Sequence, residues 1–219
     1  HLYLRKGYRI IAHYNRGRAA FSELVESSDA VTPIQIDLSD PDNLEQVIAE
    51  RPETFTGSDV LINAAAIFEP MPFTELTSEA VLRSLSVNLL PGLVLMRTMA
   101  PAMAERGWGR IVNLSSIGVK FGGGSVSFGY ALSKHAMEFL PSDYKIWAAR
   151  NVLVNTIRVG VTDTRFHHNI PGKDMTKRIA LIPAGRMASA EGMAGDIFWF
   201  GSEENTYMTG QTITIAGGE

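Results

Sequence analysis

Six short runs rich in aliphatic and β-branched residues, separated by longer helical stretches, constrain this chain more than any other feature. The runs are YRIIAHY (8–14), VTPIQID (31–37), DVLINAAA (59–66), RIVNLSS (110–116), NVLVNTIRV (151–159) and QTITIA (211–216). Several are apolar nearly throughout, with no alternation, which is the pattern of strands covered on both faces in a parallel sheet. Repeated β-α alternation predicts an α/β fold with a Rossmann-like doubly wound parallel sheet. No internal repeat, low-complexity segment or linker interrupts it. A single domain over residues 1–219 is therefore expected, long enough to bury about 70% of its unfolded surface without a metal or disulfide staple.

Helix signals fall between the runs. Ser39-Asp40-Pro41 offers a capping side chain and a proline near the first helical position, ahead of DNLEQVIAE. A second helix is expected from Thr77-Ser78 toward Met103, bent at Pro91-Gly92. A third is expected through the Tyr130 region to Ala149, with Pro141 in its interior, and a short one after Ser189. Segment 164–185 lacks a clear period. It follows the strand ending near Val159, at the sheet edge where α/β folds bind ligands, so it reads as a candidate substrate lid.

Composition excludes several classes. Net charge is −3, and pI is about 6.0, so no basic field exists to hold nucleic acid. There are no cysteines, which removes thiol nucleophiles and cysteine metal sites and fits a reducing, cytoplasmic setting. No single apolar stretch in the sequence approaches the roughly 20 residues of a membrane span, and no signal peptide opens the chain. His167-His168 has no acidic partner at helical ligand spacing, so no metal site is expected.

The chemistry centres on Tyr130 and Lys134, whose spacing places both on one helix face. Alone the pair is weak and is more simply an aromatic–aliphatic surface contact. Ser115-Ser116 alone is more simply a turn or cap. Together they gain meaning. Ser116 ends an apolar strand, a glycine-rich loop follows (Gly118, Gly122, Gly123, Gly124), and a helix carrying Tyr130 comes next. A free tyrosine has a pKa near 10, and bringing it near 7 takes roughly 4 kcal/mol. A nearby lysine ammonium and a cofactor's positive ring can supply that. A serine hydroxyl can steady a developing alkoxide. These residue types suit proton transfer on a carbonyl/alcohol pair.

Ser116…Tyr130-Ala131-Leu132-Ser133-Lys134 resembles the catalytic pattern of the short-chain dehydrogenase/reductases, and the resemblance runs over nearly the whole chain. Asn88 resembles the family's helix asparagine, which holds a water in the proton relay. Asp37-Leu38 resembles the step that meets adenine, and Asn63-Ala64-Ala65-Ala66 resembles the turn after the fourth family strand. Val159-Gly160 with Thr164 resembles the stretch that meets the nicotinamide amide. Thr209-Gly210 and Ile215-Ala216-Gly217-Gly218 resemble the closing strand and its Gly-Gly. The resemblance implies an NAD(P)(H)-dependent oxidoreductase interconverting a carbonyl and a secondary alcohol. Its catalytic set would be Ser116, Tyr130, Lys134 and Asn88. It also implies a homo-oligomer, a tetramer or dimer.

Departures accompany the resemblance. Ala64 and Ala66 replace an Asn and a Gly and fit only where φ is not positive. Val159 replaces a proline, and Pro141 falls in a helix that relatives use for dimer packing. The family's opening strand and Thr-Gly-x-x-x-Gly-x-Gly phosphate turn do not occur in this sequence. His1 to Lys6 resembles the tail of the helix that follows that turn, with Gly7 as its stop. The expectation is a partial sequence of a longer protein, short of roughly twenty residues by analogy.

Cofactor choice rests on His13-Tyr14-Asn15-Arg16. An acid there would favour NAD, whereas an arginine suits a 2′-phosphate, so Arg16 favours NADP(H) over NAD(H). Phe166, Ile170, Met175, Ile179, Leu181 and Ile182 can line an apolar pocket for a small-molecule substrate. HYNR and NAAAIFEP also resemble pteridine reductases of the family, although the Asp those carry near the Ser116 position is missing here. A catalytically silent dinucleotide sensor or scaffold is the alternative from another class.

Overall fold

The computed structural model describes residues 1–16, 22–26, 28–164, 166 and 174–219. Its elements run α1 (Leu2–Arg5), β1 (Ile10–Tyr14), α2 (Ser22–Glu26), β2 (Val31–Gln35), α3 (Pro41–Glu50), α4 (Pro52–Thr56), β3 (Val60–Asn63), α5 (Ser78–Asn88), α6 (Leu90–Arg106), β4 (Gly109–Ser116), α7 (Phe128–Ala136), α8 (Tyr144–Ala148), β5 (Val152–Val159), α9 (Met175–Ala180), α10 (Ala190–Phe200) and β6 (Thr212–Ile215). Every strand pair is parallel, as the uninterrupted apolar runs predict. The fold is α/β and Rossmann-like.

The strands form two pieces, β1-β2 and β3-β4-β5-β6. β4 and β5 are central and almost wholly buried. Pro33 is tolerated in β2 because, among the described residues, β1 is its one strand partner, and a proline cannot donate to a second ladder. The free edges of β1 and β3 border one cavity of about 1340 Å³, which Leu38, Leu44, Pro91 and Met99 also line. Ile11 on β1 is 42% exposed. The main core joins β2, α3, α6 and the strands through Ile34, Leu44, Met99, Met103, Ile111 and Val154.

Helix starts follow the capping signals. Asp40 accepts from Asp42 N and Asn43 N with Pro41 at the first turn, and Ser189 caps α10 through Gly192 N. Gly7, expected as a stop, has φ +84° just after α1, a conformation glycine adopts without a Cβ penalty. Two expected helices are corrected. The second divides into α5 and α6 at Leu89, with Pro91 in the first turn of α6. There its missing N–H costs nothing. The third stops at Ala136 and resumes at Tyr144. Pro141 lies in the break and not in a helix interior, consistent with its lost donor and its clash with the preceding turn. α4 and α9 carry no long period and were not expected.

The run Ser78–Arg106 is long and apolar enough to cross a membrane by length and composition, contrary to the sequence expectation. Met96, Met99, Ala100 and Met103 of this run pack into the main core.

Candidate active site

The C-terminal end of β4 and the first turns of α7 build the site. Ser116 closes β4 in extended conformation, and its Oγ accepts from Gly118 N at 3.2 Å. That bond caps a short 3-10 turn over Ile117–Phe121. Gly122 and Gly123, at φ +67° and +84°, then reverse the chain. A Cβ on Gly123 would fall 2.9 Å from the Ser127 carbonyl oxygen, so the turn needs glycine there. The chain re-enters α7, which presents Tyr130 and Lys134 one turn apart. The Ser116 side chain stands near enough to the Tyr130 hydroxyl to favour its ionised form. Lys134 is 2% exposed. Its Nζ donates to the Leu114 carbonyl at 2.8 Å and lies 5.9 Å from the Tyr130 ring centroid.

The lowering of the Tyr130 pKa expected from the sequence calls on a lysine ammonium together with a cofactor's positive ring. In the protein alone burial pushes the Tyr130 hydroxyl up to about 12, with the neighbouring Ser116 hydroxyl opposing it. Burial also pushes Lys134 down to about 8. The cause in each case is desolvation, which disfavours both charged forms. Tyr130 is therefore neutral at pH 7.

Asn88 ends α5 and is fully buried. Its Oδ1 accepts from Ile67 N at 2.7 Å, and its Nδ2 donates to Ile67 O at 3.1 Å and to Ser133 Oγ at 2.9 Å. The side chain thus ties the loop after β3 to α7, beside Lys134, and its amide is fully used in doing so.

Leu38, Asn63, Ala64, Ala65 and Asn88 border the same cavity. Asn63 Nδ2 donates to Asn113 Oδ1 at 2.8 Å, and neither Ala64 nor Ala66 has positive φ. Asp37 lies past β2, where the Ser39 hydroxyl and N–H, then the Arg16 charge and Asn15, hold its carboxyl below the usual range. Arg16 is exposed after β1. Gly160 N donates to Ile215 O at 2.9 Å, and a Cβ there would lie 2.5 Å from Ala216 Cα. The glycine is required by this close approach of backbones. Thr164 Oγ1 donates to Thr162 O at 3.4 Å. Ser116, Tyr130, Lys134 and Asn88 are thus brought into one bonded neighbourhood. Arg16 and Asp37 form a separate cluster at the ends of β1 and β2. His167, His168 and Ile170 lie outside the described residues. Among those described, no group of three His, Asp or Glu is arranged to hold a metal.

Phe166, expected from the sequence to line an apolar pocket, lies 5.6 Å from the Tyr130 ring centroid. Sequence reasoning missed other neighbours. The Phe68 ring packs edge-on to Tyr130 with centroids 5.5 Å apart and lies 5.3 Å from Phe166. Asn113 stands opposite Asn63 in the β3-β4 register, and spacing along the chain cannot reveal a register. Ser133 lies inside the Tyr-x-x-x-Lys motif, which was the signal available for it.

Comparison with known proteins places this geometry. Residues 1–219 match the family described as enoyl-(acyl carrier protein) reductase. Sorbitol dehydrogenase of Cereibacter sphaeroides is 30% identical over 230 residues, covering 99% of this chain and 89% of that protein. The 3-oxoacyl-[acyl-carrier-protein] reductase FabG of Thermotoga maritima is 28% identical over 222 residues, with the same coverages. Among solved structures, a provisionally assigned NAD(P)-dependent gluconate 5-dehydrogenase from Beutenbergia cavernae, with NADP bound at low occupancy, superposes with TM-score 0.89 at 31% identity. It covers 99% of this chain and 88% of that one. The 3-oxoacyl (acyl-carrier-protein) reductase of Agrobacterium tumefaciens C58, with NADP bound, gives TM-score 0.83 at 28% identity, covering 95% and 83%. With the strand-end serine, the Tyr-x-x-x-Lys helix and the parallel sheet in place, the chain belongs to the short-chain dehydrogenase/reductase family of oxidoreductases.

Proposed function

We propose that this chain interconverts a carbonyl and a secondary alcohol with NADP(H), using Tyr130 as general acid/base. The observation that carries the reading is the clustering of the strand-end Ser116, Tyr130 and a buried Lys134 whose Nζ donates to the Leu114 carbonyl. When bound, the nicotinamide cofactor supplies or accepts the hydride. In the reduction direction, the neutral Tyr130 O–H gives its proton to the substrate oxygen as that oxygen gains charge. Ser116 Oγ already accepts from Gly118 N, so its own hydrogen is free to aim at the tyrosine oxygen or the substrate oxygen. Lys134 offers a charge next to the site, and Asn88 holds α7 against the Ile67 loop.

The residues present fit such a cofactor at its two ends. Arg16, solvent-exposed with Asp37 beside it, suits a 2′-phosphate, and Asp37 with Leu38 would meet the adenine. Asn63, Ala64 and Ala65 open onto the cavity, while Lys134, Gly160 and Thr164 would serve the nicotinamide end. The NADP seen in two relatives supports the same cofactor here.

A pteridine-like flat substrate is the second reading. Phe68 and Phe166, packed on Tyr130, favour it, because aromatic faces recognise flat rings. The chain is further inferred to be a cytoplasmic homo-oligomer acting on small molecules, with neither nucleic acid nor membrane as partner. Exposed Leu82, Leu90, Leu93 and Phe139 support an oligomer. The test is NADPH fluorescence titration, followed by NADPH consumption against a panel of ketones, sugar acids and pterins. Turnover on any of them supports the oxidoreductase reading, and tight binding with no turnover supports a silent sensor.

A further inference from the structure

Glu138 lies one helical turn beyond Lys134, just past the end of α7, and its side chain is 8% exposed. Three bonds converge on its carboxylate. Ser115 Oγ donates to Oε1 at 2.7 Å, Arg158 Nε to Oε1 at 2.8 Å, and Arg158 Nη2 to Oε2 at 2.6 Å. His135 Nδ1, on the exposed side, stands 3.4 Å from Oε2. The arginine contact is the two-pronged fork that a guanidinium makes with a carboxylate, the stronger and more directional kind of ion pair.

The partners matter by position. Ser115 and Arg158 face each other in the β4-β5 register, one step before Ser116 and Val159. Consecutive β4 residues therefore reach the Tyr130 helix and the turn after it. The Leu114 carbonyl accepts from Lys134 Nζ, Ser115 Oγ donates to Glu138, and Ser116 stands beside the Tyr130 hydroxyl. The Lys134 carbonyl also lies 3.1 Å from Ser115 Oγ. Burial pushes the Glu138 carboxyl up, but the Arg158 and Ser115 bonds and the Arg158 charge outweigh it and hold the group below its usual range. The group is thus a charged clamp. It touches no reacting atom, and nothing else among the described residues satisfies the Arg158 fork.

We propose that Glu138 is a positioning residue whose carboxylate, by bridging Ser115 and Arg158, holds α7 in register over the end of β4 so that Tyr130 keeps its place beside Ser116. The proposal rests on the oxidoreductase reading for its kinetic consequence but not for its structural one. A displacement of about 1 Å at a reacting group can cost about 100-fold in rate.

The substitution Glu138→Gln keeps the shape and breaks the fork, and Glu138→Asp keeps the charge on a shorter arm. Two readouts are needed. The first is the 13C resonance of the Tyr130 ring carbon bearing oxygen, in tyrosine-labelled protein and assigned with Tyr130→Phe. It moves in Glu138→Gln while the remaining tyrosine signals stay, and it returns toward the wild-type position in Glu138→Asp. The second is kinetics on whichever carbonyl substrate the panel yields. There kcat falls about 10-fold to 100-fold in Glu138→Gln, NADPH affinity stays within about 2-fold, and Glu138→Asp recovers part of kcat. An unmoved Tyr130 signal in folded Glu138→Gln overturns the proposal, as does an equal collapse of kcat, NADPH affinity and melting temperature. If no carbonyl is turned over, the functional reading fails while the resonance still decides the clamp. Should Glu138→Gln fail to fold, Arg158→Lys, which keeps the charge and loses the fork, is read by the same resonance with the same two outcomes.

Discussion

Replacing Lys134 by methionine is expected to remove an alkaline rise in stability that the wild-type chain shows between about pH 8 and pH 10. Burial takes the Lys134 ammonium from 10.5 down to about 8 in the folded chain, and unfolding returns it to water. Between those values the unfolded state binds more protons than the folded state, so stability rises with pH; below about 8 the penalty is constant. The whole shift is worth about 3 kcal/mol, of which about 2 kcal/mol accrues from pH 8 to pH 10. Above 10 Tyr3, Tyr8 and Tyr130, all held up in the folded chain, reverse the trend because unfolded tyrosine ionises first. Methionine approximates the length without the charge. It also orphans the Leu114 carbonyl, which costs about 1–3 kcal/mol. That cost does not vary with pH and leaves the slope untouched. Urea denaturation of both proteins at several pH values from 7 to 10 gives the difference curve. Parallel curves for the two proteins would show that Lys134 is not the depressed group and would refute the reasoning.

Asn88→Ala should destabilise the chain by about 1–3 kcal/mol, because it leaves Ile67 N–H and C=O without their partner in a buried junction; chemical denaturation measures it. Arg16→Ala should shift the ratio of kcat/KM for NADPH over NADH toward NADH by about 10-fold to 100-fold, the worth of a charged hydrogen bond. An unchanged ratio would mark Arg16 as a surface charge only. Leu93→Glu, on an exposed apolar position of α6, should lower the mass seen by light scattering at micromolar concentration. A wild-type chain that is already a stable monomer contradicts the inferred oligomer.

Much of this fold was legible because its signals are local. Apolar runs marked every strand, as in Val152 to Val159 on β5, and Asp40 and Ser189 marked helix starts through their caps. The breaks were harder to place. Pro91 sits harmlessly in a first turn and Pro141 sits between helices, and a sequence shows the proline but not its position within the turn. The site was half legible. Tyr130, Lys134 and Ser116 came from spacing at a strand end. Phe68, Asn113 and the Glu138–Arg158 fork depend on register and on how α7 lies over β4, which are long-range properties. The burial of Lys134 and the Leu114 carbonyl as its ammonium's partner are properties of packing that spacing does not show.

The central claim is that Tyr130 transfers the proton, and Tyr130→Phe tests it most directly. On the best carbonyl substrate with saturating NADPH, the folded variant should lose at least about 100-fold in kcat, the usual worth of a general acid–base group, while NADPH affinity by fluorescence stays within about 2-fold. A folded Tyr130→Phe protein that turns over at near the wild-type rate would contradict the account.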